Sequence, residues 1–204
     1  MRTNNFMTTV FFCIGLLALT GCTNTGKMTE TADTTITDTS MDDTSAMSDT
    51  MSGAGAFAEI TGTKTDTTGN GTAVFSQKNG SEVVMKLAIT FPTMANKSVA
   101  VHIHEHGDCG DSGKEAHGHW NPTNEQHGKW GSSAYHSGDI GNVQLNGEGT
   151  GTITLSSDRW TIGGDATTDI LNKAIIVHSG VDDYKTQPTG NAGSRIGCGV
   201  IMRK

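Results

Sequence analysis

From residue 56 onward the apolar residues of this chain come in short bursts separated by glycine or asparagine, a pattern that suits strands and turns rather than helices. Val83, Met85, Leu87 and Ile89 recur at every second position, as do Val101 with Ile103 and Ile153 with Leu155. That period places each set on one face of a strand. Strands are expected over Ala56–Thr63, Thr72–Gln77, Glu82–Thr90, Val99–His104, Asn142–Leu145, Thr150–Leu155, Ala174–His178 and Cys198–Ile201. Asn79-Gly80 and Asn146-Gly147 have the composition of hairpin turns. Glycine is frequent, at 27 residues, and long amphipathic helical stretches are absent, so an all-β domain is expected. Two long polar stretches, 105–140 and 179–197, interrupt the strand rhythm. Long loops inside a compact domain are usually functional, so the chemistry is sought there.

The N-terminus reads as a targeting segment. Val10 to Leu19 is apolar but too short to span a bilayer comfortably, and Arg2 precedes it. The run ends in Leu19-Thr20-Gly21-Cys22, which resembles a bacterial lipobox and implies cleavage before Cys22 and lipidation of its thiol. An ordinary signal peptide with a chance cysteine is the blander alternative. The expected organisation is a signal peptide over 1–21, a lipidated Cys22 with a disordered tether over 22–56, and a folded domain over 57–204. Residues 23–56 carry six acids against Lys27 and almost no large apolar side chains, so they cannot bury enough surface to fold. Such a tether reaches roughly 30 Å. Its methionines, Met28, Met41, Met47 and Met51, could collect copper weakly, but they lack a tight repeat and read better as part of a solvated linker. Residues 57–204 hold 15 acids and 12 bases without a basic patch, which argues against nucleic-acid binding.

Once Cys13 leaves with the signal and Cys22 takes lipid, only Cys109 and Cys198 remain. In an oxidising compartment these read as one disulfide, with two buried thiols as the alternative. A bridge would close a loop of about 89 residues, stabilising by roughly 4–5 kcal/mol in the chain-entropy treatment.

All eight histidines fall between residues 102 and 178. His102 and His104 stand two apart at the end of a strand and so share a face. His119, His127, His136 and Asp139 follow with loop spacing, and His178 ends a distant strand. Imidazoles with one carboxylate suit zinc, and an all-imidazole set suits copper. Six histidines exceed what one site needs, whereas two adjacent sites sharing a ligand would use them all. His106 and His117 read as surface residues, with a weak or copper-loading pair as the sharper alternative.

The motifs that carry these residues are His102-Ile103-His104-Glu105, Gly118-His119-Trp120-Asn121-Pro122, His127-Gly128 and His136-Ser137-Gly138-Asp139-Ile140-Gly141-Asn142. They continue with Val177-His178, Asp182-Asp183, Gly190-Asn191-Ala192-Gly193-Ser194-Arg195 and Cys198-Gly199-Val200-Ile201. Taken in order over about residues 57–204, they resemble the copper/zinc superoxide dismutase family. The resemblance implies an all-β, Greek-key β-sandwich, or flattened eight-stranded barrel, with two long functional loops. It implies an oxidoreductase that dismutates superoxide. Copper would sit on His102, His104, His119 and His178. Zinc would sit on His119, His127, His136 and Asp139, with His119 bridging. Asp182 would hydrogen-bond one ligand of each metal, Arg195 would attract the anionic substrate, and Cys109–Cys198 would tie a metal loop to the last strand.

Trp120 stands where the family usually has Phe, and Thr189 where it has a small channel-lining residue. The lipobox adds an expectation of a membrane-anchored protein of the cell envelope, on the outer-membrane or periplasmic side. A homodimer and a monomer are both compatible with the sequence. The rival reading is a non-catalytic copper/zinc-binding or copper-delivery lipoprotein. His178, the bridging His119 and the anion-guiding Arg195 favour the enzyme, because a storage protein has no use for them.

Overall fold

The computed structural model describes residues 54–78 and 82–204. The leader, Cys22, nearly all of the tether with its methionines, and the Asn79-Gly80 turn lie outside the described residues.

Among the described residues, nine strands form one antiparallel sheet: β1 (Gly55–Gly62), β2 (Asn70–Lys78), β3 (Glu82–Thr90), β4 (Ser98–His104), β5 (Asp139–Gln144), β6 (Thr150–Ser157), β7 (Ala174–His178), β8 (Arg195–Val200) and β9 (Met202–Arg203). Eight of them follow the order β5-β4-β7-β8-β1-β2-β3-β6, and the two-residue β9 adds to β1. The neighbours β4/β7, β8/β1 and β3/β6 are not consecutive in the chain, which gives the crossovers of a Greek key. The result is a nearly closed barrel of eight strands with almost no helix, as expected from the sequence.

The period-2 pattern does what it predicts. Val83, Met85, Leu87 and Ile89 of β3 are all buried in the barrel core. Phe75 and Trp160 meet there edge to face at 6.0 Å, and the buried Trp160 Nε1–H finds the Ser137 carbonyl at 2.8 Å. The first strand begins at Gly55, one residue before the expected Ala56. Ala56, fully buried, pairs with both Phe75 and Arg203, so the folded domain starts slightly before the expected boundary at residue 57. At the Asn146-Gly147 turn, Asn146 N–H donates to Thr150 O at 2.9 Å. The flanking strands do not pair as a hairpin, however. β5 pairs with β4 and β6 with β3, so the turn joins the two ends of the sheet.

β4 and β7 are buried on both faces. Val99, Val101 and Ile103 of β4, with Ile175 and Val177 of β7, face the barrel core. The alternate residues His102, His104, Ala174, Ile176 and His178 point outward and are buried all the same. The two long connections cover them. The one after β4 is fastened by the Cys109–Cys198 disulfide, Cα–Cα 5.7 Å, which closes an 89-residue separation. Ala116, Ala174, Ile176 and Cys198 form a second small apolar cluster beneath it. The outer face of this half of the barrel is thereby a buried, loop-roofed floor that carries histidines.

Candidate metal centre

Two strand ends and one loop deliver the first group of side chains. In the β4/β7 ladder His102 lies opposite Ile176 and His104 opposite Ala174, and the β7/β8 ladder sets His178 against Arg195 after a bulge. His119 arrives from the first long loop as an isolated bridge to His104. One nitrogen from each of His102, His104, His119 and His178 falls within 4.8 Å of the others. His119, His127, His136 and Asp139 form a second group on the same criterion. His119 belongs to both, and all seven residues are buried. All seven metal ligands predicted from sequence are therefore brought together.

Hydrogen bonds select which nitrogen each ring turns inward. His102 donates from Nε2 to Asp182 Oδ2 at 2.9 Å, and its Nδ1 is buried without a partner. His104 donates from Nδ1 to the His117 carbonyl at 2.9 Å, and His178 from Nδ1 to the Gly193 carbonyl at 3.4 Å. Their Nε2 atoms face one another at 3.4 Å. In the second group His127 donates from Nε2 to Asp182 Oδ1 at 2.8 Å and His136 from Nε2 to the Glu125 carbonyl at 3.1 Å. The Nδ1 atoms of His127 and His136 are both buried without a hydrogen bond. They stand 3.0 and 3.3 Å from Asp139 carboxylate oxygens, but not in hydrogen-bonding orientation. His119 sets Nδ1 against Asp139 Oδ1 at 2.8 Å, towards the second group, and leaves Nε2 orphaned towards the first.

Orphaned buried lone pairs are costly unless something binds them. Four of them, from His102, His119, His127 and His136, converge here. The donor chemistry fits two unlike ions: four imidazoles for copper, three imidazoles and a carboxylate for zinc.

The protonation pattern agrees. Burial holds His104 and His178 well below the ordinary imidazole value, and it also lowers His102. Burial, then the neighbouring His102, pushes His119 down to about 4. These rings are neutral and ready to donate lone pairs. Burial also acts to lower His127, but the carboxylates of Asp139 and Asp182 outweigh it and raise the ring to about 9. Burial would raise Asp139 and Asp182, yet the histidines around them keep both below the usual carboxylate range.

Several positioning residues were not singled out by sequence. Asn142 brackets Asp182: its Oδ1 accepts from Asp182 N–H, and its Nδ2 donates to Asp182 O, both at 2.9 Å. Gln187 grips the His127 backbone from both sides, at 2.8 and 2.9 Å. Gly190, at φ +69°, passes so near Asp182 that a β-carbon would lie 1.9 Å from its Oδ1. Asn142 and Gly190 stood inside the quoted motifs, which was the only signal they gave.

Arg195 hangs over the rim of the first group. Its guanidinium donates to the carbonyls of Gly113 and His117, and the His117 carbonyl also holds His104. The disulfide at Cys109 closes the loop that supplies both carbonyls, so it also tethers Arg195. A cavity of about 440 Å³ opens beside the second group, lined by residues that include His119, His136, Gln187 and Thr189. Trp120 is buried, with Lys173 Nζ 5.2 Å over its ring, and so serves packing. His106 and His117 are exposed and outside both groups.

Comparison with known proteins converges on one family. The model of the copper/zinc superoxide dismutase family matches residues 69–201. Superoxide dismutase [Cu-Zn] 2 of Aquifex aeolicus is 34% identical over 151 residues, 72% of this chain and 85% of that protein. Superoxide dismutase [Cu-Zn] 1 of the same organism is 32% identical, over 64% of this chain and 79% of its own length. Among solved structures, that of the clock protein EA4 aligns with a TM-score of 0.61 at 30% identity, covering 74% of this chain and 94% of that one.

Proposed function

The chain belongs to the copper/zinc superoxide dismutase family, and we propose that it works at the cell envelope with the two histidine groups as its copper and zinc sites. Two superoxide anions and two protons give one dioxygen and one hydrogen peroxide. Bound copper supplies the one-electron couple, and zinc supplies charge and rigidity without redox chemistry.

The chain's own residues do the rest. His102, His104, His119 and His178 present neutral inward nitrogens to copper. His119, His127 and His136 would each turn a ring nitrogen, and Asp139 a carboxylate oxygen, towards zinc. Asp182 holds one ring of each set, fixing both orientations at once. Arg195, pinned at the rim by two carbonyls, attracts and docks the small anion. His119 Nε2, buried and unpartnered, is the atom at which a proton can be held between the two half-reactions. The observation that carries this reading is the single ring of His119 serving both donor groups.

Attachment through Cys22 is supported by the apolar run Val10–Leu19 ending at Leu19-Thr20-Gly21-Cys22. A thiol lipidated there would tether the domain to a membrane through the polar segment that follows it, facing a compartment in which the Cys109–Cys198 bridge persists. The test combines metal analysis, a dismutation assay and membrane fractionation of the expressed protein. One copper and one zinc per chain, rapid dismutation, and release from membranes by Cys22→Ser are expected. Full metal occupancy without activity would favour the metal-delivery reading. Detergent-dependent fractionation that persists in Cys22→Ser would remove the anchor.

A further inference from the structure

Two histidines take no part in the buried centre, yet they are not scattered. The exposed rings of His106 and His117 stack with centroids 4.3 Å apart and planes 24° from parallel. The Glu105 carboxylate joins them, and one donor atom from each of the three falls within 4.8 Å of the others. Two backbone bonds hold the two segments of this cluster together: Glu105 N–H to Gly118 O at 3.1 Å, and His106 N–H to Ala116 O at 3.2 Å. Among the described residues, none of the three side chains has a hydrogen-bond or ion-pair partner. The nearby Lys173 ammonium contacts the Glu105 backbone carbonyl at 3.4 Å, not the carboxylate.

The backbone at His117 is the second observation. Its φ of 62° and ψ of −141° lie in a region that is essentially reserved for glycine. The buried centre explains the backbone, because the His117 carbonyl must reach both His104 and Arg195. It does not explain the side chain, since glycine would present the same carbonyl without strain. What the strained residue adds is an imidazole aimed at His106 and Glu105.

We propose that Glu105, His106 and His117 form a third binding site, on the surface, for a divalent transition-metal cation such as zinc or copper(II). Two imidazoles and a carboxylate match that class of ion, and water completes its shell. The site is independent of the two buried groups, though it shares with them the backbone of residue 117.

The test uses the full protein with one copper and one zinc already bound, titrated with zinc chloride in a calorimeter. One further zinc per chain is expected, with its affinity lowered by about tenfold or more in His106→Ala and in His117→Gly. His117→Gly relieves the backbone strain, so without added zinc its thermal midpoint should equal or exceed the parent's. Loss of the third zinc in that variant would then not reflect unfolding. No third equivalent in the parent protein, or undiminished affinity in the two variants, overturns the proposal. Half an equivalent per chain with a doubled mass in sedimentation also overturns it, because the ion would then bridge two copies.

Discussion

Replacing Asp182 by alanine should weaken both metals at once. The side chain is completely buried and accepts three hydrogen bonds: His102 Nε2–H at 2.9 Å, His127 Nε2–H at 2.8 Å and Tyr184 N–H at 2.7 Å. His102 belongs to one donor group and His127 to the other. Truncation leaves two buried ring donors and one part-buried backbone donor without an acceptor, the buried ones costing about 1–3 kcal/mol each. Water entering the vacated space recovers part of that, so a net destabilisation of about 3–5 kcal/mol is expected for the metal-free protein. Loss of a carboxylate that orients a ligating ring lowers metal affinity by about 10–100-fold, here for copper and zinc separately. Asp182→Asn, which keeps the volume and one acceptor oxygen, should retain one ring and so spare one metal more than the other. Chelator competition run for each ion, with thermal unfolding of the apoprotein, reads these effects. If Asp182→Ala weakened only one metal, or neither, the shared-carboxylate argument would be refuted.

Three further outcomes follow from the same geometry. His178→Ala should cut copper affinity by about 100-fold or more while zinc affinity holds within about threefold, since the ring belongs only to the first group; equal loss of both ions by metal analysis would contradict the ligand split. Arg195→Glu should lower kcat/KM at low ionic strength by about 10–100-fold with metal content unchanged, and should weaken or invert the salt dependence; an unaltered rate would remove Arg195 from substrate capture. Acid should destabilise the metal-free protein. His119 is lowered from 6.5 to about 4, so the unfolded chain takes up its proton first, and about 3 kcal/mol present above pH 6.5 is lost as pH falls towards 4. His102, His104 and His178 act in the same direction. His127, raised to about 9, acts oppositely: its contribution is complete below pH 6.5 and fades as pH rises through 9. Denaturant titrations across pH 4–9 that showed flat stability would contradict this.

The β3 alternation and the His102/His104 pair were legible in the sequence because each depends on neighbours two residues apart. What local pattern hid was the reach of other elements. β5 was expected to begin at Asn142 and β8 at Cys198, yet they begin at Asp139 and Arg195. Their first residues read as loop because a charged residue and a glycine flank a single isoleucine in each, Ile140 and Ile196, too short a run to show alternation although both isoleucines enter the barrel core. Outward-facing Ala174, Ile176 and the histidines of β4 are buried by loops, which no alternation reports. Asn142 and Gln187 act on partners 40 and 60 residues away, so their roles appear only when the barrel has closed.

The account turns on one imidazole lying between two different cations. Placing paramagnetic cobalt(II) in the His127/His136/Asp139 site and copper(II) in the other, then recording the copper electron paramagnetic resonance, tests it directly. A ring shared through both nitrogens of His119 predicts strong exchange coupling and loss of the ordinary copper signal. A full-intensity spectrum of magnetically isolated copper(II) in the doubly loaded protein would contradict it.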